Sequence, residues 1–387
     1  MSRHDFHIPV HFKHRIAFTH NAFDPKNPCL GEILAEGGGR RALICIEKNV
    51  ATAWPNLAAA AVKYTGQHGL ESCKPLVLAG GEAVKNDTSL VECIWREIDH
   101  AKLDRHSYLL CIGGGAFLDA VGLAAATAHR GVRLIRFPTT TLAQDDSGVG
   151  VKCAINYFGK KNWVGAFAVP FAVLNDFQFL HSQPEASRRA GLIEAVKVAL
   201  VKDRQFFDWI ERHAEALHAL DPTTVEKCVE HSALAHASHI AAGGDPFEHG
   251  SSRPLDFGHW SAHKLEAMTG MTASHAEAVA IGMAIDCSYA AAAGHLDIHT
   301  CQRILNVLRA LDLPLFHPAL DRRGDDGRRL VYNGLDEFRE HLGGALTILL
   351  PTAPGSMIEV GELDTTLLDS CIDALRTSDT PAALTTQ

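Results

Sequence analysis

The sequence has no run of about 18 apolar residues, so a membrane-spanning helix is not expected. Its start, MSRHDFHIPVHFKH, is polar and lacks the apolar core of a secretion signal, which points to a cytoplasmic protein. The ten cysteines are scattered, with no CxxC pair and no regular framework. They read as reduced, buried, small apolar residues, which excludes a disulfide scaffold. Positive charge is not in excess either. The formal net charge is −9, which argues against binding nucleic acid through overall charge but leaves room for a local basic pocket that holds a phosphorylated small molecule. There is no internal repeat and no low-complexity segment. What remains is the composition of a globular chain, 47% hydrophobic and 21% charged over 387 residues, enough for one large domain or two ordinary ones. Histidine is abundant at 23, so a stray pair of histidines carries little weight and only histidines in a specific context count.

The first half alternates short apolar strands with helical stretches. RRALICIEK, KPLVLAG, SYLLCIGGG and VRLIRFPTT read as buried strands that end in glycine, proline or polar residues, and AWPNLAAAAVKYTG and SLVECIWREIDHA read as helices between them. Strand and helix repeated in this order predict a parallel, Rossmann-like sheet covered on both faces, with ligands at the carboxyl ends of its strands. After about residue 183 the texture changes to long helical patterns. The expected division is therefore an α/β domain over 1–183 and a mostly α-helical domain over 184–387, with Pro184 near a helix start.

In the first half, Gly113, Gly114 and Gly115 follow a strand and open a helix, where backbone N–H groups can approach a pyrophosphate. The spacing is not GxGxxG, and a plain tight turn explains it nearly as well. Asp119 lies four residues into that helix, where a capping role is the simpler account. Glu47, with Asn49 just beyond it, ends a strand at the place where an acid binds ribose hydroxyls. Gly80, Gly81, Glu82 and Lys85 form another strand-end loop. The stretch Pro138 to Lys152 (PTTTLAQDDSGVGVK) is dense in hydroxyls, glycines and acids, among them Thr139, Thr140, Leu142 and Asp146. Lys152, with the later Lys161 and Asn162, adds cations and an amide at the same strand ends, a set able to hold an anionic substrate. A solvated loop is the competing account.

In the second half, Glu194 and Lys197 are three residues apart on one helix face. His259 and His263 are four apart and can project into one site, and His275 opens an apolar helix. One glutamate and two histidines with open positions make a catalytic first shell for Zn²⁺ or Co²⁺. A third histidine that is not a ligand is free for proton transfer. Each histidine alone reads as an ordinary satisfied residue, and only the joint pattern points to a metal.

These residues resemble a known family. PTTTLAQDDSGVGVKCAIN, GKKNWVGAFAVP, GLIEAVK, RPLDFGHWSAHKLE and SHAEAVAIGM are similar, in order and over roughly residues 40–290, to the segments of dehydroquinate synthases, members of the sugar phosphate cyclase superfamily. The resemblance implies that Glu194, His259 and His275 are metal ligands and that His263 takes part in proton transfer. It implies that Lys152, Asn162 and Lys197 surround the substrate and its phosphate, and that Asp146 and Glu248 are polar site residues. Arg130, in AHRGVR, matches an arginine that reaches the phosphate of the neighbouring subunit, so a homodimer is expected. Gly113 to Gly115, Asp119, Glu47, Asn49, Glu82, Lys85, Thr139, Thr140, Leu142 and Lys161 match NAD-binding positions.

The sequence also departs from that family. Asp256 stands where dehydroquinate synthases have asparagine. Ser252 stands about where they carry a substrate-binding arginine, though Arg253 is adjacent, and Ser238 falls where a lysine is expected. A substrate carboxylate favours a bidentate arginine or paired lysines. Loss of these cations and gain of Asp256 favour a hydroxyl-rich, carboxylate-free substrate such as sedoheptulose 7-phosphate, and the segment around Asp256 looks closest to the EboD-like branch of secondary metabolism. A dehydroquinate synthase that uses Arg253 is the runner-up. A polyol dehydrogenase related to glycerol dehydrogenase, and a protein without activity, fit less well because the phosphate-holding set and the three ligands are all present.

Overall fold

The computed structural model describes residues 2–243, 247, 254–270, 272–341 and 346–379. Glu248, Ser252 and Arg253 lie outside these residues. The chain divides into two compact units. The first is Met1–Thr140 with Gly148–Ser182, and the second is Thr141–Ser147 with Gln183–Gln387. The short segment 141–147, which the strand pattern assigns to the first unit, belongs to the second. Its π-helical turn Ala143–Ser147 packs against helices Ile193–Lys202 and Pro222–Ala242.

The first unit is built on a seven-stranded sheet. Its strands are β1 (Ile16–Thr19), β2 (Arg41–Glu47), β3 (Glu71–Ser72), β4 (Leu76–Leu78), β5 (Tyr108–Gly113) and β6 (Arg133–Pro138); after a hairpin of β7 (Lys152–Tyr157) and β8 (Lys160–Phe167) comes β9 (Ala172–Asp176). The order is β1-β9-β6-β5-β2-β3, with β4 also beside β2, and every pairing in this sheet is parallel. All six residues of β5 are buried. A strand with neighbours on both edges and cover on both faces is apolar throughout rather than alternating, which is why YLLCIG reads as a continuous run. The β5–β6 register sets Gly113 beside Pro138. It brings the glycine turn and the Thr139 loop together at the carboxyl ends, and Thr139 N–H donates to the Gly113 carbonyl at 3.1 Å. In the β7–β8 hairpin, Phe158 and Gly159 have φ of 51° and 70°, the two positive values that a type I′ turn needs.

Arg136 of β6 is fully buried and donates to the carbonyls of Gly148, Gly150 and Lys152 at 3.1, 2.7 and 3.0 Å. One guanidinium thus satisfies the backbone of the loop that leads into β7. Replacing Arg136 with leucine strands these carbonyls without donors, so thermal or denaturant unfolding should show a loss of about 3 kcal/mol.

The second unit is mostly helical, with one small hairpin of β10 (Ile348–Ala353) and β11 (Ser356–Val360). The segment from Glu185 to His218 is not one long helix. It breaks at Leu192, Asp203 and His213 into four short ones, and Asp203 caps the third by accepting from Phe206 N–H. Helix His275–Ala292 runs buried along most of its length and packs against helix His259–Met268. Two glycines permit that approach. A Cβ on Gly282 would lie 2.0 Å from the Gly258 carbonyl oxygen, and Gly258 itself has φ of 78°, which side chains disfavour. No helix among the described residues is long and apolar enough to cross a membrane.

Candidate active site

In the first unit the candidate cofactor residues gather at the strand ends. Glu47 ends β2, is buried, and accepts a hydrogen bond from Gly114 N–H at 2.7 Å. The glycines here are steric requirements. A Cβ on Gly80 would fall 2.0 Å from the Glu47 carboxylate, and one on Gly113 would fall 2.5 Å from the Phe117 ring. Helix Gly115–Thr127 therefore starts close against Glu47, with its first N–H groups at the sheet's carboxyl edge. Lys85 is buried, and its ammonium donates to Asp119 and to the Asn162 amide oxygen, both at 2.6 Å. Burial pushes the Asp119 carboxyl up, with Lys85 opposing the shift. Lys161 lies 3.9 Å from Glu82. Thr139 is buried, Thr140 half-buried, and Asn49 and Lys152 exposed. Arg130 is exposed in the turn after helix Gly115–Thr127, where it and His129 both have positive φ, 62° and 51°. A cavity of about 330 Å³ opens beyond β1, β2 and β9, walled by Phe23, Trp54, Leu57 and Phe179 and edged by Asn21, Asp24, Asn56 and Gln178.

In the second unit a charged cluster lies within the helices. Glu194 is fully buried and Lys197 nearly so, and the two form an ion pair one turn apart on the same helix. Asp146, on the π-helical turn, lies 2.6 Å from Nδ1 of His236. Burial alone would raise Asp146, but Lys197 and His236 outweigh it and hold the carboxyl well below the usual range. For Lys197 burial favours the neutral amine, whereas Asp146 and Glu194, with Asp256 behind them, hold it charged. Burial pushes Glu194 up, against the pull of Lys197. Asp145 has no exposed surface, and burial together with Glu194 and Asp146 drives its carboxyl far up. Leu142 is half-buried on the same short segment.

The three histidine rings converge. His259 lies 5.3 Å from His263 and 5.5 Å from His275, centroid to centroid, and His263 lies 6.1 Å from His275. The local chemistry sets each position. His259 follows Gly258 as the first residue of its helix, and its Nδ1 donates to the Phe257 carbonyl at 3.0 Å, which leaves Nε2 able to bind a cation. His275 is also a first helical residue, fixed by a capping box in which the Ser274 hydroxyl accepts from Glu277 N–H and the Glu277 carboxylate accepts from Ser274 N–H. Burial, then Lys197, pushes His259 well below its usual range, so it is neutral and a competent ligand. One ligand atom each from Glu194, His259 and His275 lies within 4.8 Å of the others. This set of one oxygen and two nitrogen donors, buried at Glu194 and His259 and half-buried at His275, fits a divalent cation, whose charge offsets the cost of burying Glu194. His263 is the exposed member.

Sequence reasoning missed several charged groups of this unit. Glu266 had a legible signal, since it follows His263 by three residues and His259 by seven on one helix face. His236 and Asp145 had none, because their roles come from tertiary neighbours.

The parallel sheet with a glycine-rich strand-to-helix turn, followed by a helical unit carrying a buried Glu–His–His set, defines a class of two-unit α/β and helical proteins. Comparison with known proteins places the chain within it. Residues 75–190 match the family model for the 3-dehydroquinate synthase N-terminal region and residues 191–324 that for the C-terminal region. A 3-dehydroquinate synthase of Nitrosococcus oceani is 34% identical over 302 residues, 78% of this chain and 82% of the relative. A 2-epi-5-epi-valiolone synthase of Streptomyces glaucescens is 31% identical over 374 residues, 96% of this chain and 93% of the relative. The solved structure of 2-epi-5-epi-valiolone synthase from Streptomyces hygroscopicus subsp. jinggangensis 5008, with NAD⁺ and Zn²⁺ bound, superposes with a TM-score of 0.86 at 27% identity, covering 97% of this chain and all of that one. The chain belongs to the 3-dehydroquinate synthase family, within the sugar phosphate cyclase superfamily.

Proposed function

We propose that the protein is an NAD- and divalent-metal-dependent cyclase that converts a seven-carbon keto sugar phosphate, such as sedoheptulose 7-phosphate, into a carbocycle with release of phosphate. The observation that carries this choice of substrate is Asp256, an added acid acting on Lys197 where dehydroquinate synthases have asparagine. Asp146, Glu194 and Asp256 all act on that one cation, and Ser238 leaves the helix at its position without a positive group. A substrate carboxylate near these acids is repelled, whereas hydroxyls find acceptors. The likeness to 2-epi-5-epi-valiolone synthases over nearly the whole chain supports the same reading.

When bound, NAD⁺ supplies a reversible hydride acceptor and the metal a Lewis acid. The residues divide the remaining work. Glu47 and the Gly113–Gly115 turn present N–H groups and a carboxylate to the nucleotide, with Thr139 and Lys85 nearby, and the aromatic-walled cavity of the first unit takes its adenosine end. Glu194, His259 and His275 hold the cation. Lys197 keeps a fixed positive charge, Lys152 and Asn162 hold the phosphate, and His263 moves a proton at the exposed edge of the histidine cluster. Arg130 serves the neighbouring subunit of a homodimer. Its exposure suits that role, and so do the exposed Tyr157, Phe158, Trp163 and Phe167 of the β7–β8 hairpin, an apolar face of the kind that subunits cover.

The test is phosphate release with NAD⁺ and Zn²⁺ or Co²⁺, offering sedoheptulose 7-phosphate and the carboxylated precursor of 3-dehydroquinate side by side. Release from the sugar phosphate without accumulation of NADH is expected. Release from the carboxylated substrate alone makes the protein a 3-dehydroquinate synthase. NADH accumulation with an unphosphorylated polyol makes it a dehydrogenase.

A further inference from the structure

We infer that Glu266 is the positioning residue for His275, holding the Nδ1 side of its ring so that Nε2 is the atom presented to the metal. The inference rests on the assignment of Glu194, His259 and His275 as the ligand set.

Both histidine rings have an acceptor oxygen behind them. In His259 the Nδ1 proton goes to the Phe257 carbonyl at 3.0 Å. In His275 the Nδ1 atom lies 3.4 Å from Glu266 Oε1, while Nε2, on the other side of the ring, lies 4.0 Å from Glu194 Oε1. The His275 ring therefore stands between two carboxylates, one on the metal side and one behind. Glu266 is nearly fully buried, so its carboxylate is held in one place beside the ring. Its helix also carries His259, so a single rigid element supplies one ligand and orients another. An anionic acceptor on Nδ1 fixes the tautomer and raises the basicity of Nε2.

A competing arrangement has the same residues in different roles. Ligand atoms of His263, Glu266 and His275 also lie within 4.8 Å of one another, and a cation there would take Glu266 and, on its Nδ1 side, His275. Burial separates the two. His263 is exposed, whereas Glu194 and His259 are buried, and a dry set of donors holds a cation without competition from water.

The experiment measures Zn²⁺ affinity by chelator competition and the visible absorption of bound Co²⁺ in wild type, Glu266→Gln, Glu266→Asp, His259→Ala and His263→Ala, with the melting temperature of each metal-free protein as a control of folding. Glu266→Gln should bind Zn²⁺ about 10- to 100-fold more weakly, with a Co²⁺ spectrum of unchanged coordination number, and Glu266→Asp, which keeps the charge, should recover part of the loss. Wild-type affinity in both Glu266 variants overturns the inference. A Co²⁺ spectrum that reports a lost ligand in Glu266→Gln overturns it too, because Glu266 is then itself a ligand. His259→Ala that binds as wild type while His263→Ala does not overturns the underlying ligand assignment instead.

Discussion

Replacing His259 with alanine should empty the metal site and cut phosphate release by at least about 10³-fold, the effect of losing several kcal/mol of charge stabilisation. Of the three proposed donors, His259 is the one most completely committed by its surroundings. It is buried, its Nδ1 is spent on the Phe257 carbonyl, and burial with Lys197 nearby keeps it neutral. With two donors left, Glu194 stays buried beside Lys197, and His275 remains half-exposed at its helix start. Metal content after dialysis and the initial rate of phosphate release check the expectation together. The fold should persist, because the helix start is also held by Gly258 N–H and Trp260 Nε1–H, both donating to Asp286. A variant that keeps a full complement of metal would move the cation to His263, Glu266 and His275.

Those parts of the molecule that rest on local chemistry were legible before folding. Strands β2, β5 and β6 announce themselves because central parallel strands are apolar on both faces. Gly113 marks its turn because no side chain fits there beside Phe117 and Glu47, and His259 and His263 share a helix face by spacing alone. What was not legible depends on pairing at a distance. Strand β1 joins the sheet only through β9, more than 150 residues later, and Ile16–Thr19 has no strong strand signal of its own. The four short helices between Glu185 and His218 looked continuous because apolar periodicity carries across Leu192 and Asp203, and only the Asp203 cap marks a new start. Turn 141–147 follows β6 in sequence but packs with the second unit. Buried charges were the least visible class. Arg136 sits inside an apolar strand and acquires its meaning from three carbonyls that lie 12 to 16 residues away.

The same blind spot hides a group that should make the stability of the second unit fall between about pH 4 and pH 7. Asp286 lies in the buried helix His275–Ala292 and is itself buried. Burial pushes its carboxyl up to about 7, although it accepts from Trp260 Nε1 at 2.8 Å and from Gly258 N–H at 3.1 Å, both of which favour the ionised form. The native state therefore keeps its proton over a range in which the unfolded chain has lost it. Stability from this group is fully present below the carboxylate's ordinary value near 4. It declines as pH rises and is lost once pH passes about 7. The whole range amounts to about 4 kcal/mol. Asparagine keeps an oxygen to accept from the indole or the backbone and has no proton to lose. Asp286→Asn should therefore lack this slope. Denaturant unfolding of metal-free protein at pH 5 and pH 8 should show the variant gaining on wild type by about 2 to 3 kcal/mol between the two, and parallel pH profiles would mean that Asp286 is already ionised in the folded protein at pH 5. Because Asp286 holds Gly258 and Trp260 on either side of His259, its proton occupancy also bears on how firmly His259 is held.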